Sequence, residues 1–294
     1  MVFGAIEMGT LIKKFANRKP AEIADLRRAM VTLIVRTLCN SIEFQVYQGK
    51  LQAPKPYMAF AQMIHQTLRN AEGPNYSFIT FNYDIALDYA LYVNNIPTDY
   101  CLAGDIAPTS DAVSLLKLHG SVNWRNCVHC AQVFPIEMEP ISGTLPDFSQ
   151  RPGPQPFYID VSSDTVPKLH PSCNKNLETT PVIVPPTWDK SSHHSKLTGV
   201  WRIAAKELGE AENIFVIGYS LPESDLFFRY LFALGSEGRT RIKRFWVFNP
   251  DKKAVEPRFR RLIGPSLENR FEFFDQPFEN ALPLLNATLK EIYK

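Results

Sequence analysis

One of the apolar runs of this chain is followed directly by an ionisable side chain. The interior of a buried strand does not require such a side chain. His119 follows the run at residues 113–118 and directly precedes Gly120. The free pKa of histidine lies near neutrality, which suits a general base. The segment predicts a strand. This strand either ends at a functional site or is simply capped by the polar residues that follow it. Polar residues also follow the other apolar runs, and the whole set is Asn82, Asp84, His119, Gly218, Tyr219, Ser220, Asn249 and Asp251.

Two short pairs of metal-binding side chains predict a structural zinc site. Cys127 and Cys130 have the spacing Cys-x-x-Cys, and His170 and Cys173 have the spacing His-x-x-Cys. Two such pairs, each on a tight turn, can gather four tetrahedral zinc ligands. His129 is an alternative fourth ligand with a more awkward geometry, and unrelated thiols in a loop are the other interpretation. The five cysteines are odd in number and unevenly spaced, which does not favour a disulfide framework.

Continuous apolar runs alternate with helical patterns, which predicts an α/β fold: a Rossmann-like parallel sheet with helices on both faces. Ligands of such sheets bind at the carboxyl ends of the strands, where the polar residues lie. Residues 126–180 interrupt the pattern and predict a small inserted module that carries the zinc ligands. The predicted helices cover 20–44, 56–70, a segment up to 92, 224–234 and 279–292, and the predicted strands cover 77–81, 113–118, 213–217, 242–248 and 270–274.

The composition describes an ordinary globular protein. The 294 residues are 45% hydrophobic and 21% charged, so a packed core is expected and global disorder is not. The net charge of +2 does not favour nucleic acid as a direct partner. Local basic clusters at 239–244 and 258–261 are expected to be solvated faces. No apolar run reaches the roughly 18 residues of a membrane span, and no signal pattern is seen, so a cytoplasmic protein is expected.

Several strand-end segments resemble motifs of the sirtuin (silent-information-regulator) family. Residues 80–84, Thr-Phe-Asn-Tyr-Asp, resemble the sirtuin motif Thr-Gln-Asn-Ile-Asp. Residues 117–121, Lys-Leu-His-Gly-Ser, resemble the Leu-His-Gly motif, and the cysteine module follows as it does in sirtuins. Residues 217–221 resemble the later Gly-Thr-Ser-Leu motif, and Asn249 resembles the strand-end asparagine of the family. The resemblance runs from about residue 77 to the C-terminus.

Further segments resemble one branch, the sirtuin-like domains of bacterial antiphage-defence systems. These segments are 185–190, 197–208 and 218–225, and the resemblance implies NAD hydrolysis rather than lysine deacetylation. The Phe-Gly-Glu motif of deacetylases is replaced here by Val-Pro-Pro-Thr-Trp at 184–188. The alternatives are an NAD-dependent protein-lysine deacylase and a catalytically silent domain that binds NAD or ADP-ribose.

The resemblance also implies a role for each strand-end residue. His119 would accept a proton from a ribose hydroxyl or a water, and Asn82 would hydrogen-bond the ribose and orient the water. Asp84 would bind the carboxamide of nicotinamide. Gly218, Tyr219 and Ser220 would let the backbone approach the phosphate or adenosine ribose of NAD, and Asn249 would contact the adenosine side. Asn82 and Asp84 could instead simply cap the helix that begins there.

The N-terminal residues do not match the family pattern. Residues 2–9 contain Gly4 and Gly9 but not the Gly-Ala-Gly-x-Ser loop that cradles the pyrophosphate in sirtuins. We therefore expect the first strand and its loop to be missing. Three parts are expected: a helical part at 1–76, an NAD-binding Rossmann-like domain at 77–125 and 181–294, and the zinc-binding module at 126–180. A protein of the same defence system, or a second copy of the chain, is the expected partner.

Overall fold

The chain forms two compact units. The structure, a computed structural model, describes residues 5–6, 8–9, 12–47, 50–69, 76–103, 112–136, 156–157, 169–184, 197–223, 225–236 and 242–293. The first unit comprises Met1–Met58 and Phe78–Val200, and the second comprises Ala59–Ser77 and Trp201–Lys294. This division does not test the three-part division expected from the sequence, which stays a prediction. Within the described ranges, no helix combines the length and the apolar character needed to cross a membrane.

Helices and short strands alternate along the described chain, and the expected α/β fold with parallel strands is confirmed. The helices are α1 (Pro20–Ser41), α2 (Lys55–Arg69), α3 (Ala86–Val93), α4 (Thr198–Glu210), α5 (Leu226–Ser236), α6 (Lys252–Ile263) and α7 (Phe278–Ile292), with a 3₁₀ helix at Pro265–Arg270. The strands are β1 (Phe44–Tyr47), β2 (Lys50–Gln52), β3 (Ser77–Thr80), β4 (Thr98–Asp99), β5 (Val113–Lys117), β6 (Gly120–Cys127), β7 (Val133–Pro135), β8 (Pro156–Phe157), β9 (Leu177–Ile183), β10 (Asn213–Ile217), β11 (Arg244–Phe248) and β12 (Phe271–Phe274).

Helix α1 begins where its sequence predicts. Pro20 occupies the first turn, where its missing N–H costs no hydrogen bond. The carboxylate of Glu22 accepts a hydrogen bond from the backbone N–H of Lys19 at 2.6 Å, which closes the N-terminus. The helix ends at Ser41 rather than at residue 44, because Phe44 belongs to strand β1.

Among its described residues, the first unit contains three small sheets. Strands β3, β5 and β4 form one sheet in that order, in which β4 and β5 are parallel. Strand β6 pairs antiparallel with both β7 and β9 in a second sheet. Strand β1 pairs antiparallel with β2 and β8 in a third. Every residue of β5 and β6 is buried, so these two strands form the core of the unit.

The link between β5 and β6 is only two residues long, Leu118 and His119, and it is fixed on both sides. The N–H of Leu118 donates to the carbonyl of Thr80 at the end of β3, at 2.9 Å. The carbonyl of His119 accepts from the N–H of Val184, just after β9, at 2.8 Å. The chain turns at Gly120, which has a φ of +79°. His119 is therefore held between the parallel sheet and the antiparallel sheet.

The second unit contains a βαβαβ arrangement, which is the topology of one half of a Rossmann fold. Strands β10, β11 and β12 are parallel and lie in that order, and α5 and α6 connect them. Phe245 of the central strand is 1% exposed and contacts Phe232 of α5 and Phe259 of α6. Burial of such a side chain contributes roughly 1.5–3 kcal/mol, so this aromatic group holds both helices against the sheet.

Replacement of Gly120 by alanine should destabilise the first unit more than replacement of a glycine in open space. A Cβ at Gly120 would overlap the carbonyl of Val182 and lie 2.9 Å from its carbon atom. Gly264 has a φ of +65° with no atom within 4 Å of a Cβ, so Gly264→Ala isolates the backbone strain. That strain is about 1–3 kcal/mol, because the ψ of 177° at Gly264 lies in a region that is essentially confined to glycine, and overpacking at Gly120 adds about 1–3 kcal/mol. Urea unfolding of the two variants measures the difference, and equal losses would contradict this account of the turn.

Candidate functional site

The segment that follows strand β3 is held tightly by its own backbone and side chains. The hydroxyl oxygen of Thr80 accepts a hydrogen bond from the N–H of Asn82 at 3.1 Å. The carbonyl of Tyr83 accepts from the N–H of Val122 at 2.9 Å and lies 3.2 Å from the hydroxyl oxygen of Ser121. The hydroxyl of Tyr83 donates to the carbonyl of Val184. Asn82 itself is exposed, so its amide is presented on a rigid segment.

The structure brings His119 to this same segment. Its side chain is buried, and its ring contacts Phe81 at 5.0 Å between centroids and Tyr83 at 6.2 Å. These two residues flank Asn82 in the chain. The two predicted catalytic residues, His119 and Asn82, therefore lie on neighbouring strand ends of the first unit.

Asp84 lies beside a buried ion pair that the sequence analysis did not anticipate. Lys117 and Asp88 are 1% and 2% exposed, and their charged atoms are 2.9 Å apart. The ammonium of Lys117 also donates to the backbone carbonyl of Asp84, and the hydroxyl of Tyr100 donates to Asp88 at 2.7 Å. A lysine inside an otherwise apolar run was the available signal, because such a charge needs a partner. The pair fixes the start of α3 against strand β5.

The carboxylate of Asp84 accepts a hydrogen bond from the start of α3 and also borders a cavity. One oxygen accepts a hydrogen bond from the N–H of Ala86 at 2.9 Å, so the capping contact that the sequence left open is present. Burial raises the pKa of Asp84 above its ordinary value, and the charge of Lys117 opposes this shift. A cavity of about 460 Å³ lies against Asp84 and is also lined by Glu43, Lys55 and Tyr57. Asp84 can therefore cap α3 and still face a ligand.

The remaining predicted cofactor-binding residues lie together in the second unit, at the carboxyl ends of β10 and β11. Gly218 has a φ of +71°, and no atom lies within 4 Å of where its Cβ would be. Its N–H donates to the carbonyl of Phe248 at 2.9 Å, which places it beside Asn249. The hydroxyl of Tyr219 donates to Asp225 at 2.8 Å, and burial raises the pKa of this hydroxyl. Ser220 follows on the same turn.

The four predicted zinc ligands form a cluster in the first unit. Their ligand atoms all lie within 4.8 Å of one another. Cys127 Sγ is 3.5 Å from Cys173 Sγ, and His170 Nδ1 is 3.6 Å from Cys130 Sγ and 3.1 Å from Cys173 Sγ. A zinc tetrahedron with bonds of about 2.3 Å to sulfur and 2.0–2.1 Å to nitrogen has edges of roughly 3.6–3.8 Å. The cluster is compatible with zinc, and His170 rather than His129 belongs to it.

Two tight turns and one strand pair gather these ligands. The carbonyl of Cys127 accepts from the N–H of Ala131 at 3.0 Å, and the carbonyl of His170 accepts from the N–H of Asn174 at 2.8 Å. Strands β6 and β9 bring the turns together, because Cys127 lies opposite Leu177. The backbone N–H groups of Cys130 and His129 lower the pKa of Cys127 to about 7, which favours the thiolate that binds metal.

Three segments that carry sequence expectations lie wholly or mostly outside the described residues. Most of the inserted module lies there, at 137–155 and 158–168, and so does most of the Val-Pro-Pro-Thr-Trp segment, at 185–188. The N-terminal residues 1–4, which include Gly4, lie there too.

Comparisons with known proteins give similarities to solved structures only. No family model matches the chain, and no curated protein matches it. One similar structure is a mutant Sir2 homologue in complex with ADP-ribose, at 16% identity and a TM-score of 0.44, covering 92% of this chain and 76% of that chain. Another is a Sir2 homologue in complex with NAD, at 16% identity and a TM-score of 0.43, covering 99% and 88%. A third is Sir2 bound to an acetylated peptide, at 13% identity and a TM-score of 0.37, covering 81% and 71%.

These TM-scores are below 0.5, so the similarity carries no argument about function. The function proposed below rests on the residues and the geometry of this chain.

Replacement of Cys173 by serine should remove most of the bound metal. The purified chain should carry about one zinc ion, because four ligand atoms lie within 4.8 Å of one another. Cys101→Ser is the matched control, since Cys101 is a buried thiol outside the cluster. Elemental analysis of the three proteins measures the zinc content. Unchanged zinc in Cys173→Ser would contradict the assignment of the cluster.

Replacement of Lys117 by methionine should lower the free energy of unfolding by about 3–5 kcal/mol, because it leaves the carboxylate of Asp88 buried without its charge partner. The double variant Lys117→Met/Asp88→Leu should recover a large part of this loss, because no buried charge then remains. Lys243→Met is the control, since it breaks an exposed pair with Glu212 and should cost no more than about 1 kcal/mol. Equal losses at Lys117 and Lys243 in denaturant unfolding would contradict the account.

Proposed function

We propose that the protein is a sirtuin-like NAD-consuming hydrolase that cleaves the nicotinamide–ribose bond to give nicotinamide and ADP-ribose. The observation that carries the proposal is the placement of buried His119 against Phe81 and Tyr83, the residues on either side of exposed Asn82. A potential base and a potential hydrogen-bonding amide thus follow the neighbouring strands β5 and β3 at their carboxyl ends, where α/β folds bind ligands.

The chemistry of the bond sets what these residues would do. Cleavage passes through an oxocarbenium-like state, in which the bond to nicotinamide breaks and its electron pair leaves with the nicotinamide nitrogen. Water then bonds to the ribose carbon. His119 would take the proton from that water or from a ribose hydroxyl, and Asn82 would hold the ribose and orient the water. The rigid hydrogen bonding of residues 80–83 supports these positions.

The cavity beside Asp84 supports the placement of nicotinamide. The cavity is large enough for a single aromatic ring and offers polar groups from Asp84, Glu43, Lys55 and Tyr57. In the proposal, Asp84 binds the carboxamide group. Within the second unit, Gly218, Tyr219, Ser220 and Asn249 are proposed to bind the adenosine part of a nucleotide.

Zinc is proposed as a structural ion rather than a catalytic one. Three cysteines and His170 supply four protein ligands, which leaves no open coordination position for a substrate or a water. The metal would instead hold the turns at the far end of strand β6, the strand that begins directly after His119.

The resemblance of residues 218–225 to antiphage-defence domains supports a defence role for the proposed hydrolase. In that role, a protein of the same system or a second copy of the chain is the partner, and the enzyme acts on the NAD of the cytoplasm.

His119→Ala and Asn82→Ala should each lower nicotinamide release from NAD by about 100-fold or more, because positioned acid–base groups contribute about 10²–10⁴-fold. The measurement is chromatographic detection of nicotinamide from NAD alone. His65→Ala is the matched control, since His65 lies on α2 and is not one of the predicted site residues, and it should leave the rate unchanged. The exposed position of Asn82 means that its replacement should leave the melting temperature nearly unchanged.

An acetyl-lysine peptide separates the alternatives in the same assay. Nicotinamide release that does not need the peptide supports the hydrolase. Release only in the presence of peptide would contradict it and indicate a protein-lysine deacylase. Binding of NAD with no release under either condition would also contradict it and indicate a silent binding domain.

A further inference from the structure

The first turn of the βαβαβ arrangement lacks the usual means of binding a phosphate. In such arrangements a glycine-rich loop after the first strand lets the phosphate reach a helix N-terminus. Here the turn after β10 carries one glycine, Gly218, and Asp225 directly precedes helix α5. A carboxylate at that position would repel a phosphate. A phosphate at this edge therefore needs positive charge from another element.

Arg258 of helix α6 reaches this turn. Its Nη1 donates a hydrogen bond to the carbonyl of Ser220 at 3.0 Å, and its side chain is half-buried. The sequence predicts the basic cluster at 258–261 to be a solvated face, because a run of charged residues does not indicate which side chain is partly buried. This carbonyl belongs to Ser220, which lies three residues after the end of β10.

Arg258 differs from its basic neighbours because it has no acidic partner within 4.0 Å among the described residues. Arg260, two residues further along α6, pairs with Glu256 at 2.7 Å, and Lys252 approaches the same carboxylate at 3.8 Å. A half-buried guanidinium that meets only a neutral carbonyl has lost hydration without gaining an opposite charge. An anion at this edge would supply that charge.

Several other groups at this edge are hydrogen-bond donors that have no acceptor among the described residues. Within the described ranges, neither the N–H nor the hydroxyl of Ser220 donates a hydrogen bond. Asn249 is 6% exposed, and its side-chain oxygen accepts from Asp251 at 2.9 Å while its Nδ2 has no partner in the same ranges. The Nε of Arg229, on α5, is buried and also has no partner there. The carboxylate of Asp225 is held by the hydroxyl of Tyr219.

We propose that this edge of the second unit binds a phosphate group of a nucleotide, with Arg258 as its charged ligand and Ser220 as a hydrogen-bonding ligand. One nitrogen of the Arg258 guanidinium donates to the carbonyl of Ser220. The remaining N–H groups of this planar guanidinium would donate to the phosphate. Open space at Gly218 leaves room for the nucleotide to approach the backbone. The inference rests on the proposed function for the identity of the nucleotide, since NAD carries such phosphates.

The test compares ADP with adenosine, which lacks phosphate, by calorimetric titration of the full chain. Arg258→Gln should lower the affinity for ADP about 10-fold or more, as expected for loss of a charge-assisted hydrogen bond. Its affinity for adenosine should stay within about twofold. Arg260→Gln, on the same helix and with the same change in charge, should leave both affinities unchanged. Arg258→Lys keeps the charge without the planar guanidinium and should weaken ADP binding severalfold, which gives a second variant if Arg258→Gln does not fold.

Three results would overturn the proposal. If ADP and adenosine lose affinity equally, Arg258 only positions the turn. If neither loses affinity, or if the wild-type chain does not bind ADP, the edge is not a phosphate site. Nicotinamide release plays no part in these titrations. A chain that binds ADP as described but releases no nicotinamide would therefore contradict the proposed function alone.

Discussion

The ammonium of Lys117 is buried at the end of strand β5, and the first unit is arranged around its neutralisation. Asp88 on helix α3 supplies the opposite charge, Tyr100 holds the other oxygen of that carboxylate, and the carbonyl of Asp84 takes a further hydrogen bond. A charge in this position is tolerated only when its partners are held in place, because an unpaired buried ion costs several kcal/mol. The constraint fixes α3 against β5, the strand that ends two residues before His119.

Strand β6 extends this constraint from the strand ends to the metal cluster. It begins at Gly120, whose missing side chain lets the backbone pass against Val182, and it ends at Cys127, the first ligand of the cluster. Several of its buried polar residues are paired: Ser121 donates to Asn123, Asn126 donates to Glu178 of β9, and Arg125 donates to the carbonyls of Val122 and Trp124. Among the described residues, the indole N–H of Trp124 and the side-chain oxygen of Asn126 are buried without a hydrogen-bond partner. Bound zinc would therefore support the proposed chemistry through eight residues of continuous, fully buried backbone.

Local patterns explain which parts of the fold were predictable. Strand Asn213–Ile217 matches its predicted range because its apolar run ends sharply at Gly218, and the metal cluster follows from the spacing of its ligands. Helix α6 was not predicted because it contains Pro257 and buries only Val255, Phe259 and Ile263. Strand β6 was not predicted, because its sequence has no continuous apolar run and it pairs with strands β7 and β9 that follow it in the chain. The Lys117–Asp88 pair and the contact of Arg258 with Ser220 join elements distant in sequence, so no local pattern reports them.

The central claim is that His119 and Asn82 direct water, rather than an acyl-lysine, to the ribose of NAD. The most direct measurement is the product balance of the wild-type chain with NAD as the sole substrate, followed by chromatography of both products over time. The account predicts one ADP-ribose for each nicotinamide released, because water is the acceptor. Formation of nicotinamide without an equal amount of ADP-ribose would contradict it, as would intact NAD after incubation with zinc-loaded protein.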